Sequence, residues 1–222
     1  DDTPDVADSF RKAKQVALPR PPAANSVRSI SLCTKSLTLG PHSGQEGLLG
    51  KQMNQPGKKF VVYESFRVAA SAEDKRRLDG ARLSFNKYSG VQEWQDCIFL
   101  WVNLGAKGNN VVNEFLDDGS QITWFGGSRM VDDTPVVQKL IAWGQAATST
   151  SSKLILWCRL YDAGKKKFNP YVCLGRLSYK AHETGSYPLA FVWNLLDVDR
   201  LKNNPDDSIR TVFQKMLDAT AA

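Results

Sequence analysis

The sequence is poor in what most enzymes and metal proteins are built from. Its 222 residues include two histidines, His42 and His182, and four widely spaced cysteines, Cys33, Cys97, Cys158 and Cys173. No two cysteines stand at Cys-x-x-Cys spacing, which argues against a structural zinc site. There is no lysine-bearing glycine loop for a nucleotide, since Gly126-Gly127-Ser128 lacks both the lysine and the spacing. Nucleophile-elbow spacing is absent, and neither histidine has a motif neighbour that would make it a base. No apolar run reaches the roughly 18 residues that span a bilayer, so no membrane partner is expected. The start, Asp1-Asp2-Thr3-Pro4, does not read as a signal peptide; it reads as a piece of something longer. These absences predict neither catalysis, metal nor cofactor.

What is present is a moderate excess of positive charge, +6 with a pI near 9.1. That excess favours polyanionic partners without specifying one. Three cysteines lie in apolar runs (CIFLW, LILWCRLY, YVCLG). There a thiol behaves as a small hydrophobe, and reduced buried cysteines fit an intracellular setting, nuclear or organellar compartments included.

Along the chain, residues 1–26 read as an N-terminal arm or linker, with a short helix ended by Pro19-Arg20-Pro21-Pro22. Residues 27–222 read as one β-rich domain. SVRSISLCTKSLTL (26–39) alternates and predicts a strand, residues 40–59 a loop, and FVVYESFRV (60–68) a second strand. Ser71 with Glu73-Asp74 predicts a capped helix start. Residues 97–104 predict a buried strand. VVNEFL, Asp117-Asp118-Gly119-Ser120 and QITWF predict a hairpin, and Thr134-Pro135 opens a helix. KLILWCRLY and PYVCLGRLSYKA predict a second hairpin, with Gly164-Lys165-Lys166-Lys167 at its tip, followed by PLAFVWNLL as a strand. Asn204-Pro205-Asp206-Asp207 leads into a final amphipathic helix. About seven strands with short helices predict an α+β, β-rich fold: a curled sheet or small barrel with a few flanking helices.

Candidate binding residues gather at QITWFGGSRM. Trp124 offers a stacking face, the glycines permit close backbone approach, and Ser128 and Arg129 offer donors for phosphate or a base edge. Trp94 and Trp124 flank turns and are the expected exposed tryptophans, whereas Trp101, Trp157 and Trp193 sit in apolar strands and are expected in the core. Lys165, Lys166 and Lys167 at the hairpin tip would meet phosphates, and so would Lys58-Lys59 or Lys75-Arg76-Arg77 if the fold joined them. His182, at a strand end, is a further candidate ligand contact. The acidic pairs Asp117-Asp118 and Asp132-Asp133 are explained by a turn and a helix start without a metal.

The segment from Trp124 and Ser128 through LILWCRLYD to PYVCLGRLSYKAHETGSYPLAFVWNLL resembles a domain found at the C-terminus of bacterial restriction-type helicases. The resemblance covers about residues 95–200. It implies a PUA-like barrel, akin to the SRA, YTH, EVE and ASCH readers of bases. The expected function is therefore a nucleic-acid-binding module, with DNA preferred over RNA, reading a modified or flipped base within a larger protein or complex. Two alternatives stay open. One is a protein-interaction or scaffold module binding other subunits; the other is a nuclease or base-processing enzyme using Asp117, Asp118, Asp132, Asp133 or Glu183.

Overall fold

The structure, a computed structural model, describes residues 30–40, 47–79, 81–105 and 112–220. The predicted arm at 1–26 lies outside them. The described residues form ten strands and five α-helices, an α+β, β-rich fold.

A parallel pair, β1 (Ser31–Cys33) and β2 (Arg82–Ser84), stands apart from an eight-stranded sheet. The large sheet contains β3 (Val91–Glu93), β4 (Ile98–Leu104), β5 (Phe115–Leu116), β6 (Gln121–Phe125), β7 (Leu154–Asp162), β8 (Lys167–Phe168), β9 (Val172–Glu183) and β10 (Ala190–Leu195). Its order is β3-β4-β7-β9-β10-β6-β5, with β8 folded back on β7. β4 and β7 run parallel in register, Trp101 beside Trp157 and Asn103 beside Arg159; the other pairs are antiparallel.

The sheet is rolled. β3 and β6 stand five steps apart in the order, roughly 24 Å if the sheet were flat at ~4.8 Å per step. Yet a Cβ placed on Gly90, next to β3, would lie 3.3 Å from the ring of Trp124 on β6. The two margins therefore meet by side-chain contact, without a hydrogen-bonded ladder between them. Trp124 and Val91 share the inner core with Ile98, Leu100, Leu156, Leu174 and Phe191. The outer face of the central strands carries a second core of Phe99, Trp101, Ile155, Trp157, Tyr171 and Cys173. Burial on both faces explains why β4 and β7 read as continuous apolar runs.

The outer core is covered by α1 (Lys58–Ala69). This corrects the strand predicted at 60–68. Val61, Val62, Ser65 and Phe66 are the buried residues, a helical face at i, i+1, i+4 and i+5. β-branched composition suggested a strand, but the burial period decides otherwise. Of the strand predicted at 26–39, residues 26–29 lie outside the described residues, and within 30–39 the strand is β1 alone. After it, Leu37 and Leu39 are buried on an extended segment tied by side chains (Asp74 accepting from Thr38 N–H at 3.2 Å, Asp96 from Leu39 N–H at 3.0 Å) and not by a full ladder.

Capping signals land where the sequence puts them. Ser71 Oγ accepts from Asp74 N–H at 3.0 Å and starts α2 (Ala72–Arg77). Pro135 opens α3 (Pro135–Gln145). α4 (Val198–Lys202) follows β10, and Asp206 caps α5 (Asp207–Asp218), whose Ile209, Phe213 and Met216 enter the inner core. α3 lies close on the sheet because Gly144 has no side chain: a Cβ there would sit 2.8 Å from Trp193 and 2.9 Å from Tyr179. No helix among the described residues is long and apolar enough to cross a membrane.

Candidate nucleic-acid interface

The outer face changes character where α1 begins. Along β4 the outward residues run Phe99, Trp101, Asn103; along β7 they run Ile155, Trp157, Arg159. α1 covers the aromatic part, and its first residue, Lys58, marks the edge of that cover. Beyond it a half-open cleft of about 580 Å³ is lined by Gly57, Lys58, Lys59, Lys87, Tyr88, Gly90, Trp101, Asn103, Arg159 and Tyr171. The lining holds three lysines, one arginine and three aromatic side chains, and no carboxylate.

Two of the cations are fixed by neutral groups. Lys58 Nζ donates to the Ser89 carbonyl at 2.6 Å and lies 5.4 Å from the Trp101 ring. Arg159 Nε donates to Asn103 Oδ1 at 2.7 Å, and its guanidinium lies 4.2 Å from the Phe168 ring and 4.8 Å from Tyr171. Among the described residues neither one has an acidic partner, nor do Lys59 and Lys87. Burial, reinforced by repulsion from Arg159, pulls the Lys58 ammonium down from 10.5 to about 8. Burial likewise lifts the Tyr171 phenol to about 12. The Tyr171 hydroxyl and Trp101 indole N–H are buried without a hydrogen-bond partner, a state they share with the core indoles of Trp94, Trp157 and Trp193. At the rim, Tyr88 is 84% exposed, with Lys87 Nζ 4.9 Å from its ring.

The residues expected from sequence are dispersed. Trp94 and Trp124, the expected exposed tryptophans, are 0% and 2% exposed. Trp94 packs between Phe66 and Phe99 in the outer core, while Trp124 packs on Phe191 in the inner one. Alternation along β6 turns Ile122 and Trp124 inward together. Sitting next to a turn does not bring a ring to the surface when the strand's pleat points it inward. Neither ring can serve as a stacking platform.

Ser128 and Arg129 are exposed on the turn after β6, which the Tyr187 hydroxyl fastens by donating to the Ser128 carbonyl at 2.9 Å. His182 stands beside that turn, half-buried. Its Nε2 lies 3.1 Å from Asp132 Oδ1, its Nδ1 lies 2.8 Å from the Tyr179 hydroxyl, and its ring stacks on Phe191 at 5.1 Å. Asp132 also accepts from Gly185 N–H at 2.9 Å. His182 thus pins two turns together.

Lys165, Lys166 and Lys167 do form an exposed hairpin tip, though Lys165 is paired with Asp162 at 2.9 Å. The tip follows β7 at the Val172 end of β9, whereas His182 is at the other end, roughly 30 Å away along the strand. The lysine tip and the Ser128–Arg129–His182 region are therefore two separate places. Asp117-Asp118 and Asp132 are likewise at opposite ends of β6. Among the described residues no group of three His, Cys, Asp or Glu side chains is placed to hold a metal.

Lys58-Lys59 was visible in the sequence as a basic pair, but the cleft around it was not. The available signal was the parallel occurrence of Trp101-Val102-Asn103 and Trp157-Cys158-Arg159, in which a polar residue follows two places after an outward tryptophan. Comparison with models of protein families, with curated proteins and with solved structures found no match.

Proposed function

We propose that this chain is a nucleic-acid-binding module whose contact surface is the cleft at the N-terminal end of α1. One observation carries the reading: Lys58 and Arg159 converge, without a carboxylate, on a cleft walled by Trp101 and Tyr171. Ammonium and guanidinium groups without acidic partners supply the charge that phosphates need, while the buried rings of Trp101 and Tyr171 hold Lys58 and Arg159 in place. The strand that holds Arg159 runs on into the lysine-tipped hairpin, about 10 Å further along by Asp162, so a bound strand would meet charge continuously. Tyr88 offers the exposed ring face. The finer expectation, that a PUA-like barrel reads a modified or flipped base in DNA, belongs to the same proposal.

The test is binding of labelled single-stranded DNA, single-stranded RNA and duplex DNA across a salt series. The expected result is an affinity that falls with salt by a log–log slope of about −0.7 for each phosphate held on a single strand, with the slope shallower by one such contact in Arg159→Gln. If no nucleic acid binds at low salt, the proposal fails.

A further inference from the structure

Tyr88, at the rim of the cleft, is 84% exposed, and no other large apolar side chain among the described residues is as open to solvent. The backbone that carries it is nevertheless held from both sides. Tyr88 N–H donates to Asn86 Oδ1 at 3.0 Å, and Ser89 N–H donates to the Asn86 carbonyl at 3.3 Å. Lys58 ties the Ser89 carbonyl to α1, and Trp101 N–H ties the Gly90 carbonyl to β4 at 3.0 Å. An aromatic ring left in water adds little to stability, because the gain comes from burial. A ring carried on an anchored backbone has less freedom to lose when something settles on it.

The surroundings of the ring select its ligand. Lys58, Lys59, Lys87 and Arg159 all line the same cleft, and no carboxylate stands among them. An open ring beside several cations fits a polymer that alternates flat uncharged groups with negative ones, as a nucleic-acid strand does. Inside a duplex both faces of a base are covered by its neighbours in the stack, so none is open to Tyr88. An unpaired base can be splayed out and laid on an aromatic side chain. The space is also small: about 580 Å³ falls within the range of pockets that enclose small ligands, which suits a short piece of strand and not the flank of a double helix. We infer that the cleft takes single-stranded nucleic acid, with one unpaired base stacked on Tyr88 and the flanking phosphates among the four cations. The inference rests on the nucleic-acid reading and narrows it to strands whose bases are unpaired.

Scattered exposed rings are ordinary on protein surfaces, and position separates Tyr88 from them. Tyr187 is 72% exposed, but its hydroxyl fastens a turn by donating to the Ser128 carbonyl, and Asp132 accepts from Gly185 N–H in the same turn. A carboxylate at that place repels phosphate. Tyr88 has the cations without the acid.

The test measures binding of oligothymidylate DNA and oligouridylate RNA, each as a single strand and as a duplex with its complement, and of a baseless deoxyribose-phosphate strand of the same length. The proteins are the parent chain, Tyr88→Ala, Tyr88→Phe and, as an exposed control away from the cleft, Lys215→Ala. At least one single strand is expected to bind about tenfold tighter than its duplex, and Tyr88→Ala to remove about tenfold of that affinity, in keeping with the stacking of one base. Tyr88→Phe and Lys215→Ala should keep it. Because the ring is exposed, Tyr88→Ala should melt with the parent. It should also bind the baseless strand as the parent does, a result that damage to the loop would not give. Equal binding of single strand and duplex, or an unchanged single-strand affinity in Tyr88→Ala, overturns the inference and leaves the nucleic-acid proposal standing. Equal weakening of the normal and baseless strands by Tyr88→Ala also overturns it, since the ring would then be shaping the loop and not meeting a base. If no strand, single or paired, binds at low salt, both proposals fall.

Discussion

Lys58 carries its charge against the preference of its surroundings. Its ammonium is half-buried, faces Arg159, and has only a carbonyl and an indole face to compensate it. The folded pKa, about 8, is below the unfolded value of 10.5, so the folded state binds this proton more weakly than the unfolded one. The resulting destabilisation is fully present below pH 8 and disappears as pH rises towards 10.5. Lys58→Met should therefore leave the melting temperature at pH 7 unchanged or raise it. Its advantage over the parent in urea midpoint should shrink between pH 7.5 and pH 10. A variant that melts well below the parent at pH 7 would show that the Ser89 contact outweighs the charge. Gain of stability with loss of binding is the signature of a residue kept for its ligand.

Asp197 is the opposite case. It is fully buried but answered on every side, by Arg176 at 2.7 and 2.9 Å, by the Arg176 backbone N–H at 2.8 Å and by Arg200 at 2.9 Å. Burial alone would raise its pKa; the Arg176 hydrogen bonds outweigh that and hold it below the ordinary carboxylate value. Its contribution is present above that value and is lost on acidification through the folded pKa. Asp197→Asn should cost about 3–5 kcal/mol in urea unfolding, because it leaves buried arginine charge unanswered. Gly175→Ala should also destabilise strongly. Its Cβ would sit 2.5 Å from Asp197 Oδ2, and the backbone there has φ +94°, which a side chain resists.

Among the elements, α5 shows how local and tertiary signals reinforce one another. Asp206 accepts from Ser208 N–H at 2.9 Å and starts the helix. Phe213 then packs edge-on against Phe115 at 5.8 Å, tying the last helix to the edge strand β5. Phe213→Ala should cost about 3–5 kcal/mol and Asp206→Ala about 1 kcal/mol, measured by chemical denaturation. A larger loss at the cap than at the ring would mean that the helix is held by its start and not by its face. α1 shows the converse: two adjacent valines and a tyrosine argued for a strand locally, and only the sheet beneath revealed that Val61, Val62 and Phe66 share one buried face.

For the whole molecule, the rolled sheet divides the chain into two cores and leaves the cleft where the outer one runs out of cover. Three of the four cysteines are sealed in those cores, and burial pushes the Cys173 thiol to about 12 and Cys158 well above 9.0. A thiol reagent at pH 8 should label exposed Cys33 rapidly, and Cys97, Cys158 and Cys173 only as the protein unfolds. Rapid labelling of more than one would show that the cores open on that timescale. Trp124→Ala, an inner-core change, should lower stability by about 3–5 kcal/mol and is therefore a poor probe of binding.

The β-rich class, both hairpins, the buried strand at 97–104, the caps of α2 and α5 and the proline start of α3 are legible in the sequence alone. Each of these follows from a local pattern: a turn residue, a capping side chain, or a run of apolar residues long enough for one strand. The sequence could not determine which tryptophans face solvent, because pleat and curl decide that together, and Trp94 and Trp124 went inward. Nor could it place Lys58 against Arg159. Those residues are far apart in the chain and meet only because α1 lies across β4 and β7 and stops short of Asn103. A cleft is made by where cover ends, and that edge is set by tertiary packing, which no local pattern encodes.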